Sequence, residues 1–315
     1  MKKCYIVILN YKKWDDTLAC LESVFNSVYD LFSVVVIDNN SCNRSLENII
    51  EGIRKTSLKK CGTNMPVSYK LVDRLSLPTI DISSFPDIVF IQNEKNIGFS
   101  AGNNIALRML LKEDAYVWLL NPDMVIEPTT LGELVNEALI YPTAIIGAVT
   151  KNFNNKSELL FYGGGKINYW SATISFIKKI DHIHRIRYIS GGAMFIQTNH
   201  LTTLGLLPEN YFLYWEDADW NYNALKKGFP LRVCLNAVCY DKISTSIGRG
   251  FLSDYYYTRN GLSFLLKYKK WYLPSAISLI LFRIAKRLIF GQISRAKGSA
   301  KGVMDFLTKE RYENQ

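Results

Sequence analysis

Short apolar, β-branched runs that stop at a polar side chain constrain this chain more than any other feature in it. Residues 4–9, 34–37 and 116–120 are almost wholly apolar, and they end at Asn10, Asp38 and Asn121-Pro122-Asp123. A run that is apolar at every position reads as a strand buried on both faces, as in a parallel sheet. Between them, residues 17–27 carry Leu18, Leu21, Val24 and Phe25 at helical spacing, and residues 46–53 continue as helix. Strand, helix, strand, helix predicts an α/β fold with a mostly parallel sheet and right-handed crossovers. Ligands of such sheets bind beyond the carboxyl ends of the strands, where these polar residues lie.

Further strands are expected at residues 88–92, 145–149, 189–196 and 231–234. Helices are expected over 101–112, from a first turn at Pro128 to about Ile140, over 218–227 up to Gly228, and over 251–268. Gly163-Gly164-Gly165 reads as a turn. Residues 52–86 are polar, basic in their first half and without clear periodicity, so they read as an insertion longer than a usual connection.

Proline cannot continue a strand, so the chain must turn at Asn121-Pro122-Asp123 and expose Asp123. An ordinary strand-ending turn would look the same. Asp38 can accept hydrogen bonds from a ribose or base, with Asn10 and Tyr11 at the neighbouring strand end; a helix N-cap is the plainer role. Tyr214-Trp215-Glu216-Asp217-Ala218-Asp219-Trp220 sets three carboxylates among aromatic residues that can raise the pKa of at least one, which makes a candidate general base. The same cluster would also serve as a cap and dipole partner at a helix start.

These clusters, in this order, resemble the family 2 glycosyltransferases of the GT-A fold. Ile8-Leu9-Asn10-Tyr11, Asn96-Ile97-Gly98-Phe99-Ser100-Ala101-Gly102-Asn103-Asn104 and Tyr257-Thr258-Arg259-Asn260 extend the likeness over about residues 4–265. Asn-Pro-Asp with Asn-Ile-Gly-Phe looks most like the rhamnosyltransferase-like enzymes of bacterial surface polysaccharide synthesis. The resemblance implies a Rossmann-like GT-A domain over residues 1–265, with a mostly parallel central sheet flanked by helices; beyond it, the basic and apolar pattern of residues 266–315 reads as an amphipathic C-terminal helical region. It implies an inverting, metal-dependent transfer of rhamnose or a hexose, from dTDP-rhamnose first or a UDP-hexose second. The implied acceptor is a polyprenyl-diphosphate-linked glycan of O-antigen or capsule synthesis.

Carried over residue by residue, the resemblance makes Asp217 the base, with Glu216 its neighbour and possible substitute and Asp219 in support. Asn10, Tyr11, Asp38, Asn96, Gly98, Asn103, Asn121 and Arg259 would bind the nucleotide, with Arg249 a lesser candidate for the diphosphate. Asp123 would hold Mg2+ or Mn2+. Asn121 replaces the first acid of the common Asp-x-Asp form, and Asp241, in Tyr240-Asp241-Lys242, stands where members often carry a His. Asp241 is therefore the expected second metal ligand. Gly191-Gly192-Ala193 resembles the family's acceptor-side turn. A catalytically impaired sugar-nucleotide-binding module is the alternative, because Asn121 and Asp241 both depart from the family pattern. A pyrophosphorylase does not fit, since residues 10–16 hold no glycine, and neither a dinucleotide fingerprint nor a P-loop occurs.

Six cysteines form no CxxC pair, which reads as reduced thiols in a cytosolic protein. His182 and His184, with one other His in the chain, do not suggest zinc. The apolar stretch after Lys2 and Lys3 ends at Leu9, too short for a secretory signal. The net charge of +10 is concentrated late: residues 267–315 hold eleven Lys or Arg against Asp305, Glu310 and Glu313. The uncharged stretch 271–282 falls short of the roughly 20 residues a spanning helix needs. It suits a helix lying on the inner face of the cell membrane, basic groups toward anionic headgroups. A core-packing helix with a solvated basic face is the other reading. No nucleic-acid-binding motif accompanies the charge.

Overall fold

A computed structural model describes residues 2–63, 65–74, 82, 85–243 and 250–308. Strand β1 (Cys4–Asn10) pairs in parallel with β2 (Phe32–Asp38) on one side and β5 (Tyr116–Leu120) on the other. β4 (Ile88–Gln92) and then β3 (Tyr69–Val72) continue the parallel order beyond β2. Side chains alternate between two cores: Ile6, Ile8, Val34 and Val36 enter one, Tyr5, Val7, Val35 and Ile37 the other. Both faces are covered, which is why the runs are apolar throughout.

Helices α1 (Trp14–Phe25), α2 (Ser45–Thr56) and α4 (Thr130–Ile140) close the first core with Leu21, Ile49 and Leu134. Helices α3 (Gly98–Met109), α5 (Thr198–Leu204) and α6 (Glu216–Lys226) close the second with Leu107, Leu201 and Trp220. Each fully buried side chain of this kind contributes about 1.5–3 kcal/mol.

Beyond β5 the sheet changes character. β12 (Ala193–Gln197) lies antiparallel between β5 and β7 (Ile145–Asn152). β13 (Leu231–Asp241) is parallel to β7, and β6 (Met124–Ile126) is antiparallel to β13 at the edge. β8 (Leu159–Tyr162) pairs with β7, while β9 (Gly164–Asn168), β10 (Thr173–Phe176) and β11 (Tyr188–Ile189) form a separate small antiparallel sheet.

Several expected boundaries move. The strand expected over 189–196 is two strands in different sheets, β11 and β12, because the chain turns at Ser190-Gly191-Gly192. The strand expected at 231–234 runs on to Asp241 through a bulge between Cys234 and Val238. Of Gly163-Gly164-Gly165 only Gly163, at φ +64°, makes the turn, and the other two begin β9. Helices α3 and α6 start earlier than expected, at Gly98 and Glu216, whereas α4 starts after Pro128, whose carbonyl accepts the N–H of Val28 at 2.9 Å. The polar segment 52–86 contains the end of α2 and the edge strand β3. His182 and His184 lie in a 3-10 turn, Ile180–Arg185.

Helices α7 (Phe251–Tyr268), α8 (Leu273–Ile289) and α9 (Ile293–Thr308) follow. A third core joins Tyr188, Tyr211 and Trp215 to Leu262, Phe264, Ala276, Ile280 and Val303, so these helices share an interior with the sheet domain. Asp254 accepts hydrogen bonds from Arg287 and Arg295 and so ties the three helices together. α9 packs along α7, while α8 buries only Ala276 and Ile280. Among the described residues, no helix is long and apolar enough to cross a membrane.

Candidate active site

A cleft of about 430 Å³ opens at the carboxyl ends of the parallel strands. Tyr11, Asn39, Asn96, Gly98, Asn121, Asp123 and Asp241 line it, and Phe99, Phe161, Phe176, Phe212 and Tyr214 supply an aromatic wall.

Asp38 does not line this cleft. It is 2% exposed, and its oxygens accept Asn10 Nδ2 at 2.6 Å, the Ser41 N–H at 3.0 Å, Gln92 Nε2 at 2.8 Å and the Ser41 hydroxyl. Parallel pairing sets Asn10 directly opposite Asp38, and Asn10 Oδ1 accepts the Thr17 hydroxyl at 2.8 Å. The pair braces the strand ends from behind. The next residue, Asn39, reaches the cleft and holds the loop after β4: its Nδ2 donates to Asn96 Oδ1 at 2.7 Å, and its Oδ1 accepts the Ile97 N–H at 3.2 Å. Sequence reasoning followed the charge and missed this residue by one position.

Gly98 has φ +83°, and a Cβ there would lie 2.4 Å from the Phe212 carbonyl oxygen. That oxygen accepts the Phe99 N–H at 2.9 Å, which seats the start of α3 against the loop before α6. Asn103 is buried within α3, its Nδ2 donating to the Phe99 carbonyl at 2.9 Å. Arg259 sits on α7 with Nη1 donating to Asn260 at 3.0 Å. Neither Asn103 nor Arg259 is among the residues lining the cleft. Arg249 lies outside the described residues.

At the other end of the cleft, pairing of β6 with β13 sets Asp241 opposite Met124, and the Lys242 N–H donates to the Asp123 carbonyl at 3.1 Å. Two carboxylates remote in sequence thus share one wall with the Asn121 side chain. Burial, followed by the nearby charge of Asp16, pushes the Asp241 carboxyl upward, against an opposing hydrogen bond from the Ile243 N–H at 2.6 Å. A cation placed there would relieve that tendency. Among the described residues no group of three His, Cys, Asp or Glu side chains gathers to hold a metal. The donors at this corner are hard oxygens, which fit Mg2+ or Mn2+ taking its remaining ligands from phosphate and water.

The acidic cluster Glu216-Asp217-Ala218-Asp219 is delivered by a contorted loop. Tyr214 and Trp215 adopt φ +64° and +75°, a left-handed conformation costing about 1–2 kcal/mol per non-glycine residue. The loop is held in place by Asn260 Nδ2, which donates to the Leu213 carbonyl at 2.8 Å and the Tyr214 carbonyl at 3.2 Å, and by Trp215 Nε1, which donates to the Tyr257 carbonyl at 3.0 Å. The late Tyr-Thr-Arg-Asn motif therefore acts on this loop through Asn260, a residue the sequence reading passed over for Arg259.

Asp217 accepts the N–H of Gly191 at 3.1 Å and of Ala218 at 2.7 Å. Its protein surroundings push the carboxyl up to about 6 against these bonds. Glu216 is more deeply buried, has an Oε2 without a hydrogen-bond partner among the described residues, and is driven well above the carboxylate range by burial and then by Asp217. Of the two carboxyls, Glu216 is the one that burial favours more strongly in its protonated form. Asp219 is occupied by Tyr211, Lys267 and Tyr268 at 2.7–2.8 Å and anchors α6.

The turn Ser190-Gly191-Gly192 joins the two ends. Gly191 binds Asp217, and the Gly192 carbonyl accepts the Asn121 N–H at 2.9 Å. Cβ atoms at these glycines would stand 3.0 Å from the Phe99 ring and 2.9 Å from Asn121 Nδ2. Asp217 is not among the residues that line the cleft, and it reaches the wall through Gly191, next to the lining residue Ser190.

The sequence of residues 5–197 matches the family model described as glycosyl transferase family 2. The low-salt glycan biosynthesis hexosyltransferase Agl10 of Haloferax volcanii is 23% identical over 239 residues, 73% of this chain and 64% of that protein. The chain therefore spans less than two thirds of that relative. Among solved structures, the mannosyltransferase PcManGT from Pyrobaculum calidifontis, in complex with GDP-Man and Mn2+, superposes with a TM-score of 0.59 at 13% identity, covering 98% of this chain and 88% of that one. S. aureus TarS 1-349 in complex with UDP-GlcNAc superposes with a TM-score of 0.54 at 14% identity, covering 99% and 93%. These likenesses establish the GT-A fold.

Proposed function

The chain belongs to glycosyl transferase family 2, and on that footing we propose that it transfers a sugar from a nucleotide-diphosphate donor to a hydroxyl acceptor with inversion at the anomeric carbon. The observation that carries this reading is the Gly191-Gly192 turn, which couples Asn121, beside Asp123, to Asp217.

Tyr11, Asn39, Asn96 and Gly98 frame the nucleotide, with Asn10, Asp38 and Asn103 acting from behind. A Mg2+ or Mn2+ ion held by Asp123, Asp241 and the Asn121 amide oxygen would neutralise the departing diphosphate. Asp217 takes the proton of the acceptor hydroxyl as its oxygen attacks C1. The bond from C1 to the diphosphate oxygen breaks on the opposite face, and its electron pair leaves with the nucleoside diphosphate. Glu216, which burial pushes further toward its protonated form, is the less available of the two as a base.

Relatives named for a hexosyltransferase activity and for complexes with GDP-Man and UDP-GlcNAc support a hexose donor. dTDP-rhamnose rests on the Asn-Pro-Asp and Asn-Ile-Gly-Phe motifs alone. The acceptor in this reading is a lipid-linked glycan of surface polysaccharide synthesis, met at the inner membrane face. Release of nucleoside diphosphate from dTDP-rhamnose, UDP-hexoses and GDP-mannose with Mn2+ tests it. Turnover of one donor is expected; binding of a donor without turnover would favour the impaired sugar-nucleotide module instead.

A further inference from the structure

Between residues 267 and 304 the chain holds nine Lys or Arg and no Asp or Glu. Four of these cations are engaged elsewhere: Lys267 with Asp219, Arg287 and Arg295 with Asp254, and Lys301 with Asp305. Lys270, Lys286 and Lys297 are exposed and form no ion pair among the described residues. Large apolar side chains stand among them. Trp271 is 87% exposed, Phe282 67%, Ile289 81% and Phe290 67%. Lys270 lies over the Trp271 ring at 5.5 Å and Lys286 over the Phe290 ring at 6.0 Å. Phe282 and Ile289 lie on α8, Trp271 in the turn before it and Phe290 at its end, and an apolar set this extended marks an interaction surface.

The small sheet links this surface to the cleft. Trp170, 63% exposed in the β9–β10 turn, sets its ring against Tyr272 at 4.9 Å, and its carbonyl accepts the Ser275 hydroxyl at 3.1 Å. Arg283 Nη2 donates to the neighbouring Ser171 carbonyl at 3.0 Å. At the far end of β10, Phe176 stacks on Phe161 at 4.0 Å in the cleft wall. Six residues of extended chain span at most about 20 Å.

We propose that the outer side of α8, with Trp170 and Trp271, docks on an anionic lipid bilayer, and that β10 thereby holds the aromatic wall of the cleft close to that bilayer. The docking stands on the surface itself; the consequence, that the acceptor is anchored in the same bilayer, rests on the glycosyl-transfer reading. A bilayer fits better than a second copy of the chain. An isologous dimer would bring the same unpaired lysines against each other with no carboxylate between them. Anionic headgroups supply the missing negative charge, and tryptophan suits the boundary between headgroup and acyl chain.

The test is co-sedimentation with vesicles of phosphatidylcholine plus phosphatidylglycerol, and of phosphatidylcholine alone, at low and high salt. The full chain is expected to bind the anionic vesicles and to release with salt. A Phe282→Ser, Ile289→Ser variant, altered only at exposed positions, is expected to bind about tenfold more weakly. Lys270→Glu with Lys286→Glu removes the preference for anionic lipid, and both variants keep wild-type turnover on a soluble acceptor. Wild-type protein remaining in the supernatant overturns the proposal. So does light scattering that shows a dimer dissolved by the serine variant, because a second copy would then cover this face. Vesicle binding without donor turnover would remove the glycosyl-transfer reading and leave the docking intact.

Discussion

Asp217 takes the backbone N–H of Gly191 at 3.1 Å, so the carboxylate at the start of α6 is fixed by the same turn that receives the end of β5. The turn lies between two sheets, following β11 and leading into β12. A displacement on either side is passed through one short piece of backbone to the other.

The first prediction concerns pH. Burial raises Asp217 to about 6, so below that pH it holds its proton and cannot accept another. With kcat/KM plotted logarithmically, activity should rise with unit slope up to about pH 6 and then level off. Stability runs the other way. The native state binds this proton more tightly than the unfolded chain does, so the contribution is complete below about pH 4 and is lost as pH rises through about 6. Asp217→Asn should lower kcat by about 10²–10⁴ and leave stability above pH 6 undiminished. A pH–rate profile beside melting curves checks both; an Asn variant with near wild-type turnover would remove Asp217 as base.

A second prediction separates two glycines. A Cβ at Gly192 meets the movable end of Asn121 at 2.9 Å, whereas a Cβ at Gly164 meets the Tyr188 backbone carbonyl at 2.0 Å. Gly192→Ala should raise the donor KM by about tenfold, near 1.4 kcal/mol, with little change in Tm. Gly164→Ala should cost about 1–3 kcal/mol of stability, because backbone must move. Donor titration and thermal melting tell them apart.

How much of this was legible follows from what side chains report. The strands β1, β4 and β5 were readable almost to the residue, because two covered faces leave no polar position between their ends, while β2 begins two residues before its apolar run, at Phe32, with Ser33 buried between. β3 was not: its burial runs from partial through exposed to buried, as an edge strand's can, and Tyr-Lys-Leu-Val has no clear period. The continuation of β13 was hidden by its bulge, where Leu235 and Asn236 are exposed. At the site, charge drew attention to Asp38 and Arg259, yet the neighbours Asn39 and Asn260 hold the loops. A neutral amide carries no compositional signal, and its importance appears only when the backbone groups it binds are known.

The third prediction concerns Asp123 and Asp241, the proposed metal ligands. Asp123→Ala should abolish Mn2+-dependent transfer, and Asp241→Ala should raise the Mn2+ needed for half-maximal rate by about 10–100-fold. In a thermal-shift assay, the rise in Tm that a nucleoside diphosphate produces with Mn2+ should shrink in both variants and be unaffected by Mn2+ in the first. Unchanged metal dependence in Asp241→Ala would leave Asp123 without its expected companion.

The last prediction tests whether α6 must be held from its outer side for Asp217 to work. Asp219 is 2% exposed and accepts Tyr211 at 2.7 Å, Tyr268 at 2.8 Å and Lys267 at 2.8 and 3.0 Å. The lysine is half exposed, so its ion pair is screened and contributes little. The two hydroxyls matter more, since losing their acceptor leaves donors short of partners in the interior. Asp219→Asn keeps the shape but removes one acceptor oxygen, and should cost about 2 kcal/mol with a Tm lower by several degrees. If Asp219 positions Asp217, kcat falls while the donor KM and the inflection near pH 6 stay in place. A Tm loss with unchanged kcat would make Asp219 an anchor of the fold alone.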